Sequence, residues 1–267
     1  VRVLPLFDPL WFCGPMRLLA RLAVVVSLAL LGFAAPPVAA AGPAVTVLQL
    51  NICHSGIAGC FTGDAVMAKA VSVISSVRPQ VLSVNESCSG DVARLREAMG
   101  PARAVFVAAQ RRDGTPVRCV NGQEYGNIVM VAESLAGTAP ATGRYAAQDS
   151  GNEMRVWACL PAGALSACTT HLSASSGSTA LAQCRELLAR AVTYAASAPV
   201  LVAGDMNLRY QGSPNVQSCN PAGFYRKGDG SVQHVFASSN LAFVSGRTIS
   251  MSGTTDHPAW QVTVTMP

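Results

Sequence analysis

Residues Ala198-Pro-Val-Leu-Val-Ala-Gly-Asp-Met-Asn207 join an apolar run to an abrupt polar end. A short apolar run bounded by Gly or Pro has the pattern of a buried strand. Side chains alternate along an extended backbone, so Asp205 and Asn207 are expected to project the same way from its end. That would set a carboxylate beside a carboxamide at the mouth of a sheet, where α/β proteins place their chemistry. Asp and Asn are also ordinary turn residues, and on its own the stretch reads more simply as an Asx turn closing a core strand. The rest of the chain decides between the two.

Just upstream, residues 178–196 carry Leu181, Leu188, Ala191, Val192 and Ala195 at helical spacing, and these are expected to share one buried face. Residues 154–160 and 167–172 read as the arms of a hairpin. Downstream, 211–230 is rich in Gly, Ser, Asn and Pro and reads as a loop, and strands are expected at 232–237, 241–245 and 260–265. Toward the N-terminus, a strand at 45–50 ends in Asn51, and a helix over 65–77 stops before Arg78-Pro79. A strand at 81–84 ends in Asn85-Glu86, and Ser89 or Asp91 is expected to cap a short helix reaching Met99. Further strands at 104–108 and 128–131 flank a polar excursion over 109–124. Helices interleaved with strands around a central hairpin imply an α/β domain of two sheets packed face to face with helices outside.

The chain starts with Val, and its first Met is Met16, so residues 1–15 read as an over-extended start. Arg17 and Arg21, an apolar run over 22–35 and a small-residue tail at 36–41 have the form of a secretory signal peptide. The run is shorter than the roughly 20 residues of a membrane span, so cleavage near Ala41 and an exported product over 42–267 without membrane insertion are expected. Loss of 1–41 would remove Arg2, Arg17, Arg21 and Asp8 and lower the net charge of +5 to +3, a mildly basic value compatible with a polyanionic substrate. Eight of the nine cysteines would remain, an even number that in an exported protein points to disulfides. Cys53 and Cys60 bracket a short loop and Cys159 and Cys168 bracket the hairpin turn, so each pair is expected to close on itself. Cys88–Cys119 and Cys184–Cys219 are the pairing assigned to the rest, one choice among the 105 that eight cysteines allow.

Polar groups recur at strand ends: Asn51, Glu86, His171, Asp205 with Asn207, and Asp256-His257 just before the last strand. One such group is a turn; five in succession suggest a site. Read in order, Leu-Gln-Leu-Asn51, Val-Asn-Glu86, Tyr-Gly-Asn127, Thr-Thr-His171-Leu, Gly-Asp205-Met-Asn207 and Thr-Asp256-His257-Pro resemble the motifs of the endonuclease/exonuclease/phosphatase superfamily. The resemblance spans residues 45–267. It implies a four-layered α/β/β/α sandwich and hydrolysis of a phosphate ester by water, assisted by Mg²⁺ or by Mn²⁺ or Ca²⁺. It also implies Glu86 as principal metal ligand with Asn51 and Asp256 near the ion, and Asp205 and Asn207 positioning water and phosphoryl oxygen. His171 and His257 would meet the phosphate from either side, and Asn127 would contact substrate. His54 has no counterpart and reads as a loop histidine.

One position departs from the family pattern. Members carry an Asp in the strand before the final motif, where it holds the terminal His, and here Gln233 stands in Val232-Gln-His-Val-Phe236. A carboxamide oxygen can accept a hydrogen bond from the His257 imidazole but cannot stabilise its cation as a carboxylate does. Thr-His171-Leu resembles the deoxyribonuclease, sphingomyelinase and 5-phosphatase branches. The hairpin tip at Pro161-Ala-Gly-Ala has no aromatic residue to enter a membrane, and Arg111, Arg112 and Arg118 could line a phosphate-contacting edge. The expectation is an exported, monomeric, divalent-metal-dependent phosphodiesterase acting on nucleic acid. The alternatives are a sphingomyelinase-like or phosphomonoester hydrolase of the same fold, or a non-catalytic binding protein.

Overall fold

The computed structural model describes residues 42–161 and 163–267; the expected leader lies outside them. In chain order the elements are β1 (Ala44–Asn51), α1 (Asp64–Val77), β2 (Val81–Cys88), α2 (Asp91–Met99), β3 (Ala102–Ala108), β4 (Tyr125–Ala132) and β5 (Ala141–Arg144). They continue with β6 (Val156–Leu160), β7 (Ser166–His171), α3 (Gly177–Ala195), β8 (Val200–Asp205), a 3₁₀ turn at Val216–Cys219, β9 (Phe224–Gly228), β10 (Gln233–Ser238), β11 (Ala242–Ile249) and β12 (Ala259–Thr265). Two six-stranded sheets form, in the orders β11-β12-β1-β2-β4-β3 and β5-β6-β7-β8-β10-β9. Inward side chains of both, such as Val47, Val81 and Val129 against Ala167, Leu201 and Val235, make the central apolar layer. Val66, Ala70 and Ile74 of α1 and Leu95 of α2 cover the outer face of the first sheet, and Ala180, Leu187 and Leu188 of α3 cover the outer face of the second. This is the expected four-layered α/β/β/α sandwich.

Parallel pairing of β1 with β2 and of β7 with β8 brings the C-terminal ends of these four strands to one edge of the sandwich. Asn51 lies opposite Asn85, and His171 opposite Asp205. Gly204 permits this spacing: a Cβ there would stand 2.1 Å from the Thr170 carbonyl oxygen. Disulfides join Cys53–Cys60, Cys88–Cys119, Cys159–Cys168 and Cys184–Cys219, the pairing expected above.

Four local expectations are corrected. Neither Ser89 nor Asp91 caps α2: Gly90 precedes it without a side-chain cap, and the Asp91 carboxylate instead accepts from the Cys88 N–H and from His54. On α3 the buried positions are Ala180, Gln183, Cys184, Leu187, Leu188 and Ala191, and Val192 is 43% exposed. The phase turns on Gln183, whose amide oxygen and nitrogen both find partners inside, accepting from Ser173 N–H and donating to the Ala147 carbonyl. The loop expected at 211–230 contains the 3₁₀ turn and the edge strand β9, and β5 was not foreseen at all. The strand expected at 241–245 runs on to Ile249 and is exposed almost throughout.

Candidate active site

β8 delivers Asp205, which is buried, to the end of the second sheet. The chain does not stay extended beyond it. Asn207 takes a left-handed φ of 48°, a conformation Asn tolerates, and its N–H donates to Asp205 Oδ1 at 3.0 Å. The stretch is therefore an Asx turn and a site together: Oδ1 closes the turn, while Oδ2 accepts from Asn51 Nδ2 at 3.1 Å and lies 3.6 Å from His257 Nε2. Asn207 Nδ2 donates to the Leu172 carbonyl, which fixes its plane.

Glu86 reaches the same place from the first sheet by a different device. The register of β2 against β4 slips between Val84 and Ser87, and Glu86 has φ 57°, so the bulge turns its carboxylate out of the pleat. Non-glycine residues in this region carry backbone strain and cluster at functional sites. Asn51 Nδ2 donates to Glu86 Oε1 at 2.8 Å, while its Oδ1 accepts from the Cys53 N–H, so as placed the amide holds the two carboxylates together. Burial raises the Glu86 pKa, opposed by the Asn51 hydrogen bond and reinforced by Asp205, Asp256 and Glu153. Asp205 is also raised, chiefly by burial, against the pull of His257 and its hydrogen bonds.

A cleft of about 320 Å³ opens over these groups and is lined by Glu86, Tyr125, Glu153, Arg155, His171, Asp205, Asn207, Asp256 and His257, with Ser55, Ile57, Ala58 and Ala174 at its rim. His171 is buried, its Nδ1 has no partner, and burial together with Arg155 and His257 drives its pKa well below the usual imidazole value. It is a neutral hydrogen-bonding ring. Asp256 is exposed at the edge, with Oδ1 3.7 Å from His257 Nε2. Asn127 does not line the cleft; it is buried, and its Oδ1 accepts from Asn85 Nδ2. Asn85 also receives the Asp205 N–H and donates to the Thr170 carbonyl, and Ser83 Oγ meets Thr169 Oγ1, so side-chain amides and hydroxyls peg one sheet to the other beneath the site.

The expected bond from Gln233 to the His257 imidazole does not form. Gln233 Nε2 donates to the carbonyl of Pro258 and lies 3.4 Å from Asp229 Oδ2, holding the backbone after His257 rather than its ring. A carboxylate has no hydrogen to give that carbonyl, so the amide suits the position. His54 is likewise more than a loop residue: its Nδ1 lies 2.9 Å from Asp91 Oδ2. Of the three expected basic contacts, Arg112 and Arg118 each spend guanidinium hydrogens on backbone carbonyls, of Gly151 and Asp149 and of Gly122.

Sequence reasoning missed Arg155, Glu153 and Tyr125. Arg155 is only 9% exposed and lines the cleft with Nη1 2.8 Å from Glu153 Oε1, an ion pair without an aligned hydrogen bond. The signal was an arginine at the start of an otherwise apolar strand. The four cleft carboxylates, Glu86, Glu153, Asp205 and Asp256, face one guanidinium; burial is the main cause that raises Glu86, Glu153 and Asp205, and at Glu86 the neighbouring carboxylates add to it. Hard oxygen donors carrying uncompensated charge fit a divalent cation of the Mg²⁺ type.

A model of the Endonuclease/Exonuclease/phosphatase family matches residues 49–257. Among solved structures, an endonuclease/exonuclease/phosphatase from Bacteroides vulgatus has a TM-score of 0.63 at 13% identity, covering 84% of this chain and 100% of that one. D. rerio TDP2 complexed with single strand DNA product has a TM-score of 0.63 at 18% identity, covering 83% and 98%. The human Nocturnin catalytic domain with bound sulfate anion has a TM-score of 0.65 at 17% identity, covering 83% and 93%. At these identities the likeness shows the fold alone. Among curated proteins, no match to the chain is found.

Proposed function

The chain belongs to the endonuclease/exonuclease/phosphatase family, and on that premise we propose that it is an exported, divalent-metal-dependent phosphodiesterase that cleaves nucleic acid. The observation that carries the reading is the convergence of Glu86, Asp205 and Asp256 with His171, His257, Asn51 and Asn207 around one cleft. Glu86 and Asp256, with Asn51 beside them, would hold the ion, which when bound neutralises charge on the phosphate and its leaving oxygen. Asp205 accepts the proton of the attacking water: Oδ1 is engaged by Asn207, Oδ2 faces the cleft, and its raised pKa makes it a stronger base than an exposed carboxylate. His257, 3.6 Å from Oδ2, orients that carboxylate. His171 donates a neutral N–H to a phosphoryl oxygen, and Arg155 brings a full positive charge to the same side once phosphate competes with Glu153. Asn127 acts through Asn85 on the floor of the site.

Four disulfides support export, since such bonds persist in oxidising compartments. The nucleic-acid reading draws on the DNA product held by the zebrafish TDP2 structure of the same fold. A second reading, a lipid phosphodiesterase, is favoured by Ile57 and Val120, 59% and 68% exposed on neighbouring loops that meet through Val120 N–H and the Ser55 carbonyl at the cleft rim. Incubating the purified protein with Mg²⁺ and plasmid DNA, RNA or sphingomyelin in parallel tests both. Metal-dependent loss of nucleic acid, absent in Glu86→Ala, is expected; turnover of lipid alone refutes the nuclease.

A further inference from the structure

Beyond Asn207 the chain continues as Leu208-Arg209-Tyr210, and a hollow of about 190 Å³ extends from Asn207 along Leu208, Arg209, Gly212 and Pro214. Asn207 lines both this hollow and the catalytic cleft, so the two adjoin at that residue. Tyr210 is 56% exposed, and the Arg226 guanidinium lies 4.9 Å from its ring centroid. Arg226 is itself fixed, with Nη1 2.9 Å from His234 Nδ1 and Nε donating to Gln217 Oε1. His234 Nε2 donates in turn to the Leu208 carbonyl at 2.8 Å. An unbroken set of contacts thus runs from the residue after Asn207, through His234 and Arg226, to the tyrosine ring. Cys184–Cys219 ties the 3₁₀ turn that carries Gln217 to α3.

We infer that Tyr210 is a stacking platform for a nucleobase of the substrate strand, one or two nucleotides from the scissile phosphate. The inference rests on the nuclease reading and names how that enzyme would grip its strand. Three residues of chain span at most about 11 Å, so the Tyr210 backbone lies within a short reach of Asn207. One side of the ring is occupied by a cation that its π-system attracts and that hydrogen bonds hold still. Half of the residue remains open to solvent, and a flat, cation-backed ring is the surface on which unpaired bases stack irrespective of sequence. Exposed Arg209, one residue away, supplies charge for the neighbouring phosphate. Only an unstacked base can use such a surface, so the expected substrate is single-stranded or locally opened.

The test uses two single-stranded DNA oligonucleotides of equal length, one with all its bases and one abasic throughout, cleaved by wild type, Tyr210→Ala and Tyr210→Phe in Mg²⁺. Wild-type kcat/KM is expected to favour the base-bearing strand by about 5- to 100-fold. Tyr210→Ala should lose most of that preference while cutting the abasic strand at the wild-type rate, and Tyr210→Phe should keep it. Fluorescence anisotropy of the same strands in EDTA gives a readout independent of turnover, with weaker binding of the base-bearing strand expected for Tyr210→Ala alone. Wild-type behaviour of Tyr210→Ala on both strands overturns the inference, as does an equal loss on both, which would mark a structural role. If wild type cuts neither strand nor an RNA of the same sequence, the nuclease reading fails and the platform falls with it; a failure confined to the variant comparison leaves that reading standing.

Discussion

Acidifying the protein should destabilise it through one buried imidazole. His234 sits on β10 opposite Gly204, is 1% exposed, and satisfies both ring nitrogens while neutral: Nε2–H donates to the Leu208 carbonyl, and Nδ1 accepts from Arg226. Protonation would turn Nδ1 into a donor facing a guanidinium. Burial, aided by Arg226 and opposed by the Leu208 hydrogen bond, pushes the His234 pKa down to about 4. In the unfolded chain the same ring takes a proton near pH 6.5. Between those values the unfolded state binds more protons, so stability is full above the unfolded pKa and declines as pH falls toward the folded one. At about 1.36 kcal/mol per pH unit the gap is worth roughly 3 kcal/mol, most of it lost by pH 4.5. Urea unfolding of wild type and His234→Gln at pH 7.5 and 4.5, in metal-free buffer, isolates the effect. Glu86, Asp205 and His171 titrate in both proteins and cancel in the difference. His234→Gln should be less stable at pH 7.5 yet lose roughly 3 kcal/mol less on acidification. Parallel pH dependences for the two proteins would refute the account.

Three other outcomes are expected. Glu86→Gln should abolish turnover while raising the metal-free Tm, because it removes a charge held beside Asp205, Asp256 and Glu153; calorimetry with and without Mg²⁺ reads both. Gln233→Asp, although it restores the family residue, should cost about 1–3 kcal/mol, since a carboxylate leaves the Pro258 carbonyl without its donor; an unchanged urea midpoint would contradict that. Replacing both Cys184 and Cys219 with Ser opens a link across a sequence separation of 35 and should cost about 4 kcal/mol, read by urea denaturation of the otherwise oxidised protein.

Legibility differed from residue to residue for physical reasons. The strands that carry the site are apolar runs with hard polar stops, and such runs announce themselves. Asp205 and Asn207 were read as alternatives, turn or site, because a strand period assumes that the backbone stays extended. The left-handed φ at Asn207 breaks that assumption and lets the turn be the site. Glu86 was visible as a residue, but the bulge that aims it depends on the register against β4, which no local pattern encodes. Strand β9 was hidden because Tyr225, Arg226 and Lys227 sit half-buried on an edge, where alternation is weak. On α3 the apolar stripe misses the buried face because Gln183 is a polar residue whose buried amide oxygen and nitrogen both find partners. The partner of Gln233 was out of reach for a related reason: the family pattern directs attention to the imidazole of His257, whereas the bond goes to the next residue's backbone.

Asn85 and Ser83 reach across the apolar layer to Thr170, Asp205, Thr169 and Ala203, so the first sheet's Glu86, Asn51 and Asp256 and the second sheet's His171 and Asp205 are set at one spacing by bonds that neither sheet can release alone. Two stacked apolar sheets without such pegs could slip past each other and open the site while both stayed folded. Here the spacing is lost only when the sandwich separates, so the site lacks the low-energy opening through which many enzymes lose function before they melt. Heat inactivation should therefore track global unfolding rather than precede it. A substrate that fits poorly would also have to be accommodated by the rim loops, because the floor of the cleft is pegged to both sheets.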